Sequence, residues 1–415
     1  MLERVPLLDK DLADYAAIIG GEAVERIRDA ARVVEGARVL HVSATPYGGG
    51  VAELLATHVP LLRSVGVDAD WQVIHGSDEF FGVTKNVHNA LQGAGEAFDD
   101  RSRHVYLEKV LENTLLLEGE HDFVVIHDPQ PAAMRTFRDQ APSPNTAAKW
   151  IWRCHIDLTD ARPDVWDFFL PHVALYDASV WTMPGFVPAS MPAAGVHIAP
   201  PCIDPLSVKN LDLPDPFVTE ICRQYGIDTN RPMLVQVSRF DPWKDPLGVL
   251  EAYRIAREQV PDLQLVLAGS MATDDPEGFH VWETVDAARA GERDVHLLSN
   301  IQQVGNVQIN AFQRAADVVV QKSLREGFGL TVAEALWKGR PVLGGNVGGI
   351  VLQIRDGVDG HLVSSVEETA ARALELLRAP DHADSLGANG REHVRSNFLS
   401  TRELEDWLTL FGTLA

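Results

Sequence analysis

Cysteine is scarce, with 3 in 415 residues, at Cys154, Cys202 and Cys222. Three scattered thiols build neither a disulfide framework nor a cysteine-rich metal site, and they suit a reducing compartment, so a cytoplasmic protein is expected. Positive charge is in deficit too: 36 Lys and Arg stand against 59 Asp and Glu, for a formal net charge of −23. Nucleic acid and anionic membrane both demand basic patches, and this balance argues against either as a partner. Small anions are not excluded, because a few local cations and helix N-termini can hold them within an acidic protein. Long hydrophobic runs are missing, since no stretch approaches the ~18 uncharged apolar residues of a membrane helix. Residues 1–10 carry no apolar signal core, so secretion is not expected. There is no internal repeat, no low-complexity tract, no Gly-x-Ser-x-Gly elbow, no P-loop lysine and no dinucleotide fingerprint.

What is present is the composition of an ordinary soluble globular protein, 46% hydrophobic and 23% charged. The length exceeds one compact core and fits two domains of about 200 residues each. After about 35 residues that read as a helical lead-in, Arg38–Thr45 reads as a buried strand, and Pro46-Tyr-Gly-Gly-Gly50 as a loop before a helix over Val51–Ser64. Strands are expected again over 69–75, 123–127, 149–155 and 179–182, with helical stretches between them. Prolines break every pattern around Ala199–Pro205, where the domain junction is placed. A second series follows at 233–238, 263–269, 295–298, 318–321, 342–345 and 361–363. Alternation of this kind implies two doubly wound α/β domains in tandem, with ligand bound beyond the carboxyl ends of the strands.

The most pointed segment is Arg325-Glu-Gly-Phe-Gly-Leu-Thr-Val-Ala-Glu334, a tight loop between a strand and a helix start. Gly327 and Gly329 let backbone approach a bound group, and the N–H groups of the helix start favour an anion. Glu326 and Glu334 are either a ligand clamp or a loop charge and a helix-start charge, since acidic residues are favoured there anyway. Ser238-Arg-Phe-Asp-Pro-Trp-Lys244 offers a diphosphate clamp, with a forked contact from Arg239 and a point charge from Lys244. The plainer alternative is a surface ion pair with Asp241 or Asp245. His127-Asp-Pro-Gln-Pro131 and Trp152-Arg-Cys-His-Ile-Asp157 are strand exits, where functional polar residues collect. There Asp128 and Gln130 could bind hydroxyls, although Asp-Pro is also a common turn starter. His155 reads as a hydrogen-bond partner, a metal ligand or a packed core histidine; no second histidine at ligand spacing supports the metal. Cys154 as a nucleophile has no local support, because strand alternation points its neighbour His155 to the opposite face. Asp274-Asp275 before Pro276 reads as a helix cap.

Taken together these segments resemble the retaining glycosyltransferases of the two-domain GT-B architecture, glycosyltransferase family 4 type, in the group marked by Glu-x7-Glu, here Glu326 and Glu334. The resemblance covers nearly the whole chain. The 127–131, 152–157, 203–206, 236–244 and 274–278 segments are similar to those of the trehalose glycosyltransferring synthases. The resemblance implies two Rossmann-like domains facing each other across a cleft: an acceptor-side domain over 1–200, a nucleotide-sugar domain over 201–395, and a helix over 396–415 returning to the first. It implies transfer of glucose from UDP-, ADP- or GDP-glucose to glucose, giving trehalose, or the reverse. Arg239 and Lys244 would hold the diphosphate. Glu326, with the backbone of Gly327, Phe328, Gly329 and Leu330, would hold the donor glucose and phosphate, and Glu334 the ribose. Gly49 and Gly50 would approach the phosphate from the first domain. Asp128, Gln130 and Asp157 would bind the acceptor, with His155 beside the anomeric carbon. No protein-bound metal or other cofactor is implied, an Mg2+ ion accompanying the nucleotide being the one left open, and a homodimer is compatible. A trehalose phosphorylase of the same fold is the nearest rival, in which Glu334 would lack a ribose. A hinged, non-catalytic sugar or nucleotide binder is the other.

Overall fold

A computed structural model describes residues 1–47, 49–142, 145–193, 195–270 and 276–415. Gly48 and the Asp274-Asp275 pair lie outside the described residues. The chain divides into two compact units, Met1–Pro201 together with Ser400–Ala415, and Cys202–Leu399.

The first unit carries β1 (Glu3–Arg4), β2 (Arg38–Ser43), β3 (Asp68–Val73), β4 (Phe123–His127), β5 (Lys149–Arg153), β6 (Ala178–Trp181) and β7 (Val196–Ile198). They form one sheet in the order β1-β3-β2-β4-β5-β6-β7. All pairings are parallel except that of β1 with β3, where Glu3 lies opposite Val73. Neither β1 nor β7 is expected from the sequence, and the lead-in is therefore not wholly helical. Two or three residues at a sheet edge are too short to show a period. The central strands are buried on both faces, as crossover helices require, and so read as unbroken apolar runs: all of Phe123–His127 is buried, and Trp150, Trp152 and Trp181 are at most 1% exposed.

The second unit carries β8 (Met233–Val237), β9 (Gln264–Gly269), β10 (Val295–Ser299), β11 (Val318–Gln321), β12 (Val342–Gly345) and β13 (His361–Val363). These form an all-parallel sheet in the order β10-β9-β8-β11-β12-β13. Its core is aliphatic, built on Leu234, Leu265, Leu267, Val318, Val320 and Leu343.

Helix Ser400–Leu414 belongs to the first unit. Its Trp407 packs on His41 and His58, and Phe411 on Phe123 with ring centroids 4.6 Å apart. Among the described residues no helix is long and apolar enough to cross a membrane.

Candidate functional site

In an open parallel sheet the strand order reverses at one point, where neighbouring loops part and leave a crevice beyond the strand ends. In the second unit that point lies between β8 and β11. The loops leaving these two strands are the two that carry Lys244 and Glu326. Lys244 Nζ donates to Glu326 Oε2 at 2.6 Å, with only 15% and 11% of the two side chains exposed. Ser323 Oγ donates to the same carboxylate oxygen at 3.3 Å. The rest of the loop pair is fastened around this contact. Buried Gln236 donates from Nε2 to Lys244 O at 2.7 Å, Leu324 N–H donates to Trp243 O at 2.8 Å, and the Arg325 guanidinium lies 5.5 Å from the Trp243 ring centroid. Asp245 is taken up by Lys322 and by the N–H of Gly248, so it is not the partner of Lys244. Among the described residues Arg239 reaches only Asp241, at 3.4 Å, and 55% of its side chain is exposed.

The segment after Glu326 lies against a second glycine cluster. Gly349 N–H donates to Glu326 O at 3.1 Å, and Gln353 Nε2 donates to Phe328 O at 2.6 Å. A Cβ on Gly349 would sit 2.4 Å from Gly327 O, and one on Gly348 would sit 1.8 Å from Glu326 O. Gly329 takes φ +85°, which lets the loop turn into helix Leu330–Trp337. Among the described residues the backbone N–H groups of Gly327, Phe328 and Leu330 have no hydrogen-bond partner, so they remain able to receive an anion. Glu334 is fully buried in that helix. Its Oε1 meets Lys209 Nζ at 3.3 Å, while Oε2 has no partner among the described residues. A buried carboxylate oxygen without a donor is costly, and a ligand hydroxyl would satisfy it.

In the first unit the order reverses between β2 and β4. Three histidines run along the strand ends there. His41 Nδ1 lies 3.0 Å from His127 Nε2, and His127 Nδ1 lies 3.0 Å from His155 Nε2. Burial is the first cause that holds all three well below the ordinary histidine range, so the rings are neutral. Each neutral ring has one N–H, so donation runs in a single direction along the chain. His155 Nδ1 therefore carries a proton when the row donates outward, and is a bare acceptor when it donates inward. Asp128 adopts φ 63° and accepts the His155 backbone N–H on Oδ1 at 2.8 Å. Burial pushes its carboxyl up to about 6. Gln130 Oε1 is buried without a partner among the described residues. Asp157 accepts the Thr159 N–H at 2.8 Å, a local turn that occupies one of its oxygens. Gly49 precedes helix Gly50–Ser64, and a Cβ there would meet nothing within 4 Å. Cys154 is buried, and burial pushes its thiol well above the ordinary range, the condition of an inert thiol.

Within the second unit the structure thus brings together Lys244, Glu326 and the 327–330 backbone, with Arg239 on the same loop as Lys244. Within the first it brings together His155 and Asp128. Sequence reasoning missed His41 and His127 as partners of His155, Lys209 as the partner of Glu334, and Gly348, Gly349 and Gln353 as the support of the Glu326 loop. A signal existed for the glycines, since Gly344-Gly-Asn-Val-Gly-Gly349 ends an apolar strand on one glycine pair and places a second pair three residues beyond it.

Residues 41–188 match the family model for the trehalose synthase N-terminal domain, and residues 217–393 match group 1 glycosyl transferases. A trehalose synthase from Rubrobacter xylanophilus is 48% identical, covering 100% of this chain and 99% of that one. A trehalose phosphorylase from Pleurotus pulmonarius is 28% identical over 88% of this chain, which spans 56% of its length. Among solved structures, an E. coli trehalose-6-phosphate protein bound with UDP-2-fluoro glucose superposes with a TM-score of 0.71 at 15% identity, covering 91% of this chain and 99% of that one. That likeness, with two parallel-sheet α/β units, marks the fold as GT-B-like. The 48% identity over the full length decides the family: the chain belongs to the trehalose synthases, a family of glycosyltransferases.

Proposed function

We propose that this protein transfers glucose from a nucleoside diphosphate glucose to free glucose, with retention at the anomeric carbon, to give trehalose. The observation that carries the reading is the Lys244–Glu326 pair at 2.6 Å, at the switch point of the second sheet and beside backbone N–H groups that have no partner among the described residues. A cation, a carboxylate and an anion-receptive loop are the three functions that a sugar joined to a diphosphate requires. Lys244, with Arg239, takes the diphosphate charge; Glu326 accepts from the glucose hydroxyls; the orphaned Oε2 of Glu334 accepts from the ribose. Asp128, Gln130 and Asp157 hold the acceptor glucose, and His155 lies beside the reacting carbon. The neighbour that binds UDP-2-fluoro glucose lends support to a nucleotide-sugar donor.

In this mechanism the acceptor hydroxyl attacks the anomeric carbon from the face that the diphosphate leaves. The carbon–oxygen bond to phosphate breaks as the new glycosidic bond forms, and the hydroxyl proton passes to a phosphate oxygen. Charge builds on the leaving group, where the fixed cation and N–H groups stabilise it without reorganisation, so the protein needs neither a nucleophile nor a metal of its own.

The test is to incubate the protein with glucose and, separately, UDP-, ADP- and GDP-glucose, and to identify the disaccharide. A non-reducing product is expected, with kcat lowered about a hundredfold, or roughly 3 kcal/mol, in Lys244→Ala. A reducing disaccharide, or near-normal turnover in that variant, overturns the reading. Glucose 1-phosphate released from trehalose and inorganic phosphate, without nucleotide binding, would replace it with the phosphorylase.

A further inference from the structure

The far edge of the second sheet carries a cluster that glycosyl transfer does not use. His361 opens β13, Glu375 lies in the last turns of helix Val366–Arg378, and His382 lies in the first turn of helix Pro380–Asn397. One donor atom from each falls within 4.8 Å of the other two. Every corner of such a triangle lies within about 2.8 Å of a common centre, so closure by about 0.7 Å reaches the ~2.1 Å of a zinc–nitrogen bond. Glu375 and His382 are exposed and able to make that adjustment.

The independent observation is His361. Its ring is 4% exposed, and neither nitrogen has a hydrogen-bond partner among the described residues. A buried imidazole pays for desolvation unless something meets its polar atoms, yet among the described residues neither nitrogen makes a hydrogen bond. Nδ1 lies 3.4 Å from Asp356 Oδ1, outside hydrogen-bond geometry but close enough for a small rotation to make the contact. Metal-binding histidines are usually held with a carboxylate on one nitrogen and the ion on the other, and Asp356 could serve as that carboxylate. Glu375 Oε2 accepts from Arg372 Nη1 at 2.8 Å, and Oε1 makes no hydrogen bond among the described residues.

We infer that His361, Glu375 and His382 form a binding site for a single divalent transition-metal ion, of which Zn2+ is the reference member. Two imidazoles and one carboxylate suit zinc and its neighbours, whereas Mg2+ and Ca2+ prefer oxygen alone. Three protein ligands leave a coordination position for water. The bound ion joins an edge strand to the two helices that follow it, and so acts on the stability of the second unit.

The experiment titrates the full-length protein, stripped with a chelator, with Zn2+ in a calorimeter and with Co2+ by visible absorption. One equivalent is expected to bind, with the intense absorption of low-coordinate Co2+ and a rise in the Tm of the second unit; Mg2+ produces none of these. His382→Ala and Glu375→Gln, both at exposed positions and expected to fold normally, should each weaken Zn2+ binding at least tenfold and abolish the Tm rise. The inference fails if no saturable site appears, or if both variants bind Zn2+ as the parent does, which would place the ion on other histidines. Neither result bears on the transferase reading.

Discussion

At the scale of single residues, burial decides which polar groups of the first unit are charged. Asp128 stands in the left-handed region, where aspartate is among the few side chains tolerated, and this turns its carboxylate back onto the His155 N–H. Burial raises its pKa from 3.8 to about 6, so the folded chain holds that proton more tightly than the unfolded chain. The sign follows: Asp128 contributes its stability below pH 3.8 and loses it as pH rises towards 6, by at most about 3 kcal/mol. The neutral histidines beside it act in the opposite sense, since the unfolded chain gains their protons first. The effect is therefore read as a difference. Asp128→Asn should gain stability relative to the parent between pH 4 and 6 in urea titrations, with no further change above. If the same carboxylate accepts from the substrate hydroxyl as proposed, kcat/KM for glucose should fall below pH 6 in the parent. A parallel pair of stability curves would show that Asp128 does not titrate in that window.

At the scale of elements, the Glu326 loop owes its shape to close backbone approach. The β12–β13 connection lies against the β11 loop so tightly that Gly348 and Gly349 have no room for a side chain. Gly349→Ala isolates this effect, because its φ of −70° suits alanine and what opposes it is close backbone, with Gly327 O at 2.4 Å, Phe328 Cα at 2.5 Å and Gly327 C at 3.1 Å. The loop must shift, and overpacking of this kind costs about 1–3 kcal/mol. The expected result is a modest fall in Tm with a larger rise in KM for the nucleotide sugar than for glucose; equal effects on both would deny the loop its donor role. Most strands were legible in the sequence because parallel strands are buried on both faces and read as apolar runs, and Lys244 and Glu326 were legible as charges in loops after such runs. Their pairing was not, since it joins residues far apart in the chain. The same holds for the row from His41 through His127 to His155, which strand order alone creates, and for Lys209 beneath Glu334. The edge strands Glu3–Arg4 and Val196–Ile198 escaped notice because so few residues carry no period.

At the scale of the whole molecule, the chain closes the first unit with its own last helix. Ser400–Leu414 supplies Leu404, Trp407, Leu408 and Phe411 to a unit whose strands, from Glu3–Arg4 to Val196–Ile198, all lie some 200 residues or more earlier in the chain. Trp407 is 3% exposed, and its ring lies 5.9 Å from His41, 5.7 Å from His58 and 5.5 Å from Phe411. The helix therefore backs the inner end of the histidine row whose outer end is His155. Chains with two cores need not unfold in one step, so the two units can be followed as separate transitions. Trp407→Ala opens a cavity in the first core alone, at a cost of about 3–5 kcal/mol. For a unit of this size that lowers its Tm by roughly 10 °C. Hydrogen exchange should show β2 and β4 losing protection while β8 and β11 keep theirs, and, on the proposed assignment of Lys244 and Glu326 to the donor, nucleotide-sugar binding should outlast acceptor binding as temperature rises. Loss of protection in β8 and β11 together with β2 and β4 would mean that the two units unfold as one, and that the last helix stabilises both.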